Sequence, residues 1–502
     1  VEIEGTGTEQ ATIYIRMLTD GTEIHGLAVT GSGAGVIMSG SEDVLLEHLW
    51  IHDSGGDGLH VRDALGPTSI DVRSSLIEGA QGHGVVLAGV DAAFEGVVIR
   101  TTRPRPPEQT LGRGMVVATS AETTSGSTLA IRNSVIERNR DVGLLIECCA
   151  ATVDSSVVRQ NRPRESDGLR GRGISTGASC TLAGVDSSLT LRSSVIEDNA
   201  DVGVFLTGID AAIESTVVRR TSLTGDGRGG WGVAAQVDTV TGVATSLEIR
   251  SSLLEDHRDI GLYLSGSEVT ATSTRVRRSD PEQSALALGI GVTARTSAHD
   301  GARAELELLG SVIEQSHSSG VYVSGSSATL RGSLVSETRP NPLEGLYGRG
   351  IVVQSCPDTG EAPTFAMEGS AIEQSREVGL FLFDAEATVQ GCRISDSVAG
   401  ESGYFGDGLL MGWAEQPSTA TLEASLIERS DRAAIANFGS QLSMGRTRLL
   451  CQQFDMDGER WNDSDYRFED RGDNSCGCPA AGATCVAMSA GLQPPEEAPD
   501  VE

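Results

Sequence analysis

Seven near-identical segments recur along this chain: SLIEG at Ser75, SVIER at Ser134, SVIED at Ser194, SLLED at Ser252, SVIEQ at Ser311, SAIEQ at Ser370 and SLIER at Ser425. Their serines lie 59, 60, 58, 59, 59 and 55 residues apart. A fixed internal period of this size dictates stacked repeats, in which each unit buries its apolar face against its neighbours. Each period divides in two. Twenty-two residues after Glu78, Glu137, Glu197, Glu255, Glu314 and Glu373 stand Arg100, Arg159, Arg219, Arg277, Ser336 and Ser395, each in a matching phrase such as VVIR or SVVR. The same phase runs back through His52 to Thr30, giving 15 rungs from Thr30 to Glu428.

Rungs of 22 residues with β-branched runs broken by glycine fit three short strands and tight corners per turn, and no helical stretch of ten residues is evident. Phrases such as SVIEDNADVGVFL, a turn asparagine followed by glycine and an alternating strand, resemble the right-handed parallel β-helix. That is the fold of pectate lyases, polygalacturonases, alginate epimerases and phage tailspikes, and the resemblance covers about residues 1–450. The expected fold is therefore an all-β, single-stranded, right-handed parallel β-helix of about 15 rungs. At ~4.8 Å per rung it would be roughly 70 Å long. Residues 451–490 are expected to form a small Cys-rich cap and residues 491–502, GLQPPEEAPDVE, a disordered acidic tail.

Stacking turns single residues into rows. Glu78, Arg100, Glu137, Arg159, Glu197, Arg219, Glu255 and Arg277 form a row of alternating charge, read as a structural salt-bridge ladder. Two positions later, Asn139, Asn161, Asn199, Thr221, His257, Ser279 and their successors form a polar row suited to bonding backbone groups at a corner. The second rung of each pair is longer, 33 to 38 residues, and its extra loops would wall a groove over one strand stack.

On the floor of that groove Phe205, Tyr263, Tyr322 and Phe381 alternate with inward aliphatics and so point outward. With only 19 aromatic residues among 502, four in one row is a concentration. The row reads either as a stacking platform for a sugar polymer or as a satellite core covered by the loops. Arg113, Arg172 and Arg349 in the GRG corners, with Trp231 in GWG, complete the candidate binding set.

Catalytic residues should interrupt the rows, and departures gather near the start of the chain. His48, His52, His60 and His83 lie close to Asp53, Asp57 and Asp63. Asp57 in GDG and His83 in GHG immediately precede the rung glycine, and His60 heads the outward row, so Asp57, His60 and His83 are the candidate acid and base groups. The GHG phrase with a nearby aspartate is similar to part of the polygalacturonase site, but the chain has no lysine for that family's Arg-Ile-Lys motif and no Asn-Thr-Asp motif. A pectate-lyase-like mechanism would imply calcium on carboxylates, for which Asp53, Asp57 and Asp63 are the candidates. A second, weaker metal candidate is Asp455 with Asp457 in DMDG, otherwise read as a solvated turn.

A net charge of −32 argues against nucleic-acid or anionic-membrane partners, and against polyanions unless calcium or a local arginine row intervenes. No stretch is long and apolar enough to span a membrane. Nine cysteines point to an oxidising compartment, with Cys451, Cys476, Cys478 and Cys485 stapling the cap, Cys148 and Cys149 near Cys180, and Cys356 near Cys392. The expected protein is secreted or on the cell surface, its export signal outside this chain, and binds a polysaccharide or surface protein without catalysis. No cofactor is expected, calcium excepted. The alternatives are a polysaccharide lyase or glycoside hydrolase acting through Asp57 and His83, and a structural adhesin shaft without a ligand.

Overall fold

A computed structural model describes residues 1–5, 10–177, 187–281, 287–401, 403–477 and 484–499. The chain divides into two compact units, Val1–Leu247 and Glu248–Glu502. Each is a parallel β-helix in which every third strand joins the same sheet. The first sheet holds the SxIE phrases and their partners, and each unit contributes nine of its strands among the described residues. Among the described residues no helix is long and apolar enough to cross a membrane.

The register confirms the repeat phase. Glu78 aligns with His52 on one side and Arg100 on the other, and Arg100 with Glu137. The inward column beside it, Ile51, Ile77, Ile99, Ile136, Val158, Ile196 and Val218, is fully buried in the first unit, and Leu254, Val276, Ile313, Val335, Ile372 and Ile394 continue the pattern in the second. The charged row is a ladder of ion pairs: Arg100 to Glu78 and Arg159 to Glu137 at 2.8 Å, Arg219 to Glu197 at 2.9 Å and, in the second unit, Arg277 to Glu255 at 2.9 Å.

The recurrent serine is explained by what it bonds. Its hydroxyl accepts the backbone N–H of the preceding rung, as from Val97 to Ser134, Ser134 to Ser156 and Ser156 to Ser194, all at 3.1 Å. It then donates to the carbonyl two residues upstream, as Ser134 does to Arg132. Cys392 occupies this column in the second unit: its N–H donates to Ser425 Oγ and its thiol bonds the Gln390 carbonyl. The expected link between Cys356 and Cys392 does not form, and both are buried free thiols. Cys180, the expected neighbour of Cys148 and Cys149, lies outside the described residues.

The rung glycines are required by close approach. A Cβ on Gly84, Gly114, Gly143 or Gly173 would sit 2.5, 2.5, 2.7 or 2.6 Å from the carbonyl oxygen of the corresponding glycine one rung on. Beside them the polar row is buried. Asn161 donates from its backbone and its side chain to Asn199 Oδ1, at 3.1 and 2.9 Å, while Asn199 Nδ2 donates to the Val158 carbonyl at 3.1 Å. Replacing Asn199 with alanine orphans all three groups and is expected to cost about 2–3 kcal/mol. Faster amide exchange in Val157–Arg159 and Val195–Glu197 is the readout, and unchanged exchange would refute the assignment.

Within its expected limits the solenoid begins with Glu2–Gly5 pairing Ala28–Gly31, and beyond them, after residue 450, Phe454–Glu459, Arg467–Asp470 and Ser475–Cys476 each pair with the rung before. The segment read as a cap is thus largely one more rung, whose strands lack the SxIE phrase. The Cys476–Cys485 disulfide ties this rung to Ala487–Met488, and Cys451 is also disulfide-bonded. Cys478 and residues 500–502 lie outside the described residues.

Candidate functional site

The second sheet carries every candidate site residue except Asp53 and Asp63, or holds it at the corner leading into that sheet. In the first unit its outward row runs Tyr14, Ile37, His60, Val86, Val116, Leu145, Ser175, Phe205, Ala234. Val116, Leu145 and Ser175 are buried even though they face away from the solenoid interior, so this face is not open to solvent at those rungs.

The structure brings Asp57, His60 and His83 together. Asp57 Oδ2 lies 2.9 Å from His60 Nδ1 and its Oδ1 lies 3.0 Å from His83 Nδ1, with Arg105 Nη2 3.4 Å away. Burial alone would push Asp57 up, but the hydrogen bonds and charge of the two histidines outweigh it and hold its carboxyl far below the usual range. An ionised carboxylate only accepts, so each Nδ1 carries the proton and each Nε2 faces away from Asp57. Asp57 is therefore an orienting anion and cannot serve as a general acid near neutral pH. The stability it contributes is present above the ordinary carboxylate range and is lost as pH falls towards its depressed folded value.

Asp57 and His83 also continue a pattern seen at later corners. His83 aligns with Arg113, and in the same column Arg172 and Trp231 align with valines of the shorter rungs. Arg113 Nε donates to Asp141 Oδ2 and Arg172 Nε to Asp201 Oδ2, both at 2.6 Å, and in the second unit Arg349 Nε donates to Glu377 Oε2 at 2.5 Å. Each cation at the corner thus meets an acid one rung away. The acids went unread in the sequence although they share a signal: Asp141, Asp201 and Glu377 each stand two residues before a rung glycine, in DVG, DVG and EVG.

The calcium candidates do not converge. Asp53 takes Arg103 at 2.6 Å and His52 at 3.3 Å, while Asp63 is buried and accepts from Thr123 Oγ1. Among the described residues no group of three or more His, Cys, Asp or Glu side chains is placed to hold a metal ion. Asp457 is no part of a solvated turn: it lies in the strand Phe454–Glu459, buried, and pairs with Arg432. Asp455 is pushed up by burial and receives a hydrogen bond from Gln452.

The aromatic row points outward as expected but is not an open platform. Tyr263, Tyr322 and Phe381 are buried, and Phe205 is half-buried beneath the Arg172 guanidinium, 3.8 Å from its ring centroid. Over Tyr322 and Phe381 the cover is the C-terminal segment, expected to be disordered. Gln354 Nε2 bonds Tyr322 Oη at 3.1 Å and the Ala498 carbonyl at 2.9 Å, and the Ala498 N–H returns a bond to Gln354 Oε1. Arg349, buried over Phe381, donates to the Glu496 carbonyl at 2.6 Å. Outward direction followed from the strand period of two, whereas the covering segment could not be inferred from it.

One comparison with known families bears on the architecture. Residues 13–221 match the family described as the right handed beta helix region. Two similar solved structures are the PL6-family alginate lyase AlyGC, at 10% identity over 95% of this chain and 96% of that one with a TM-score of 0.19, and a point mutant of it, at 9% identity over 97% and 99% with a TM-score of 0.20. No curated protein matches the chain. The strand registers show a parallel β-helix in each unit, and residues 13–221 are similar to the right handed beta helix region.

Proposed function

We propose that this protein is a non-catalytic β-helix of the cell surface or extracellular space that recognises a glycan or a protein partner through the loops over its second sheet. The observation that carries this reading is the contrast between floor and rim. The floor is covered and its corner cations are paired, yet the loops hold large apolar side chains in solvent. Leu169, Val240 and Val243 do so in the first unit, the last two in the loop after the strand, and Leu343, Leu346 and Tyr404 do so in the second. Gly345 packs against Glu401, so the loops bearing Leu343, Leu346 and Tyr404 are neighbours. Apolar groups gathered on adjacent loops mark a recognition surface. The Cys476–Cys485 disulfide supports an oxidising compartment.

A specific observation favours a second reading, a polysaccharide lyase or hydrolase: the Nε2 atoms of His60 and His83 are turned away from the carboxylate that orients them. One experiment separates the two. The protein is incubated with neutral and acidic polysaccharides, with and without calcium, and both retention and new reducing or unsaturated ends are assayed. Retention without cleavage is expected, unchanged in Asp57→Asn/His83→Ala and lost in Leu343→Ser/Leu346→Ser/Tyr404→Ser. Cleavage that disappears in Asp57→Asn/His83→Ala would overturn the proposal, and a protein retained by none of the polymers and by no surface protein would be a shaft.

A further inference from the structure

In a chain of net charge −32, one surface depression is lined by four arginines. It lies in the first unit, at the turn from the first sheet to the second, and has a volume of about 310 Å³. Thr101, Thr102, Arg103, Pro104, Arg138, Arg140, Arg162 and Glu165 form its walls. Arg103, Arg140 and Arg162 each stand three residues after the charged-row residues Arg100, Glu137 and Arg159, which are aligned on successive rungs, so the three guanidiniums belong to one column. The bridge between Arg140 and Arg162 fixes the last two on neighbouring rungs, ~4.8 Å apart along the stack.

Stacked like charges at that spacing repel, and the fold compensates only two of the four. Arg103 is held by Asp53 at 2.6 Å and Arg140 by Glu165 at 2.9 Å. Arg138 reaches only the neutral amide oxygen of Gln160, at 3.0 Å, and neither it nor Arg162 has a carboxylate within ion-pair distance among the described residues. Both side chains are exposed. Two uncompensated guanidiniums, each offering a planar fork of donors, fit an oxyanion of charge close to −2. Carboxylates of the protein itself are plentiful, yet none pairs with Arg138 or Arg162 among the described residues, unlike the corner arginines Arg113 and Arg172, which are capped at 2.6 Å.

We propose that Arg138 and Arg162, flanked by Arg103 and Arg140, form a binding site for a tetrahedral dianion, a phosphate or sulfate group. The group is either a free phosphate or sulfate ion or a phosphate monoester carried on a larger molecule, a sulfate ester being only a monoanion. A phosphate monoester loses its second charge near pH 6, so its binding weakens as pH falls through that value, whereas sulfate binding does not. The surrounding negative charge blunts the ionic-strength sensitivity, because salt screens the attraction of the pocket and also the repulsion from the rest of the surface.

The test is calorimetric titration of the full chain with inorganic phosphate and with sulfate, at pH 8 and pH 5.5, against chloride as the background anion. Both dianions are expected to bind at pH 8, and phosphate to weaken selectively at pH 5.5. In Arg138→Ala/Arg162→Ala binding should fall about tenfold or more, with an unchanged melting temperature because both residues are exposed. Arg331→Ala, in the second unit and paired with Glu368, should leave binding intact. Sedimentation with phosphatidic-acid vesicles, against phosphatidylcholine vesicles, distinguishes the sources: co-sedimentation lost in the double variant supports a lipid phosphate, and dianion binding without co-sedimentation supports a free or glycan-borne group. No binding of either dianion, or equal losses in the double variant and in Arg331→Ala, would overturn the proposal.

Discussion

Replacing Arg432 with alanine is expected to destabilise the last rungs of the second unit by about 3–5 kcal/mol, and to do so more at pH 8 than at pH 5. Arg432 lies between two carboxylates from strands on either side. Its Nε donates to Asp407 Oδ1 at 2.9 Å and its Nη2 to Oδ2 at 2.5 Å, while Nη1 bonds Asp457. Asp407 and Asp457 are almost wholly inaccessible, at 0% and 1% exposure. Burial is the dominant influence on Asp407 and pushes it up to about 6 in spite of the guanidinium, and burial likewise raises Asp457.

A carboxyl whose folded pKa exceeds its unfolded value favours the folded state most when both states are protonated. Its contribution is full below about pH 4 and declines as pH rises through about 6. Removing the cation leaves two buried carboxylates with no counter-charge. The cost is then small where both are protonated and large where both must ionise. Amide exchange in Asp407–Gly412 and Phe454–Glu459 at the two pH values is the appropriate measurement, because a repeat array of this length opens locally and has no single unfolding free energy. Protection lost equally at pH 5 and pH 8 would mean that packing of the arginine stem, not its charge, holds these rungs.

What could be read in advance followed from stacking. Any residue type that recurs at the rung period must serve each rung alike, so the serine column, the glycine column and the Glu78–Arg100 pairing were legible before any coordinates. The residues misread were those judged by chemical type without regard to column. Cys392 looks like half of a disulfide but fills a serine position. Asp457 looks like part of a polar turn, yet it lies in a strand and finds its partner Arg432 25 residues upstream, on the neighbouring rung. Asp57 and His83 look like an acid–base pair, while His83 fills the corner column held on the next rung by Arg113 and takes its carboxylate from the rung before. His60 is the member of that cluster which no column explains. The cover over the aromatic row was illegible for a different reason: it involves residues 147 positions apart, and nothing periodic marks them.

That cover makes the second large effect predictable. Arg349→Ala is expected to cost about 3–5 kcal/mol locally, since it removes a buried cation, at 1% exposure, from Glu377 and leaves that carboxylate partly buried and unpaired. It also removes the guanidinium lying 4.3 Å from the Phe381 ring centroid and the donor that anchors Glu496. The C-terminal segment then keeps its bonds to Gln354 and, at its start, the bond from the Gly491 N–H to Glu459, and should become sensitive to protease at residues 492–499, with faster exchange in Arg349–Gln354 and Val378–Phe383. Deleting residues 491–502 is the informative companion, because it uncovers Tyr322 and Phe381 while leaving the Arg349–Glu377 pair in place. If the row is a satellite core, both changes reduce stability, the substitution more than the deletion, and neither increases retention on any polysaccharide. A deletion that left stability untouched and raised retention, with the gain abolished by Tyr322→Ala, would instead make the aromatic row a binding platform that the segment keeps closed.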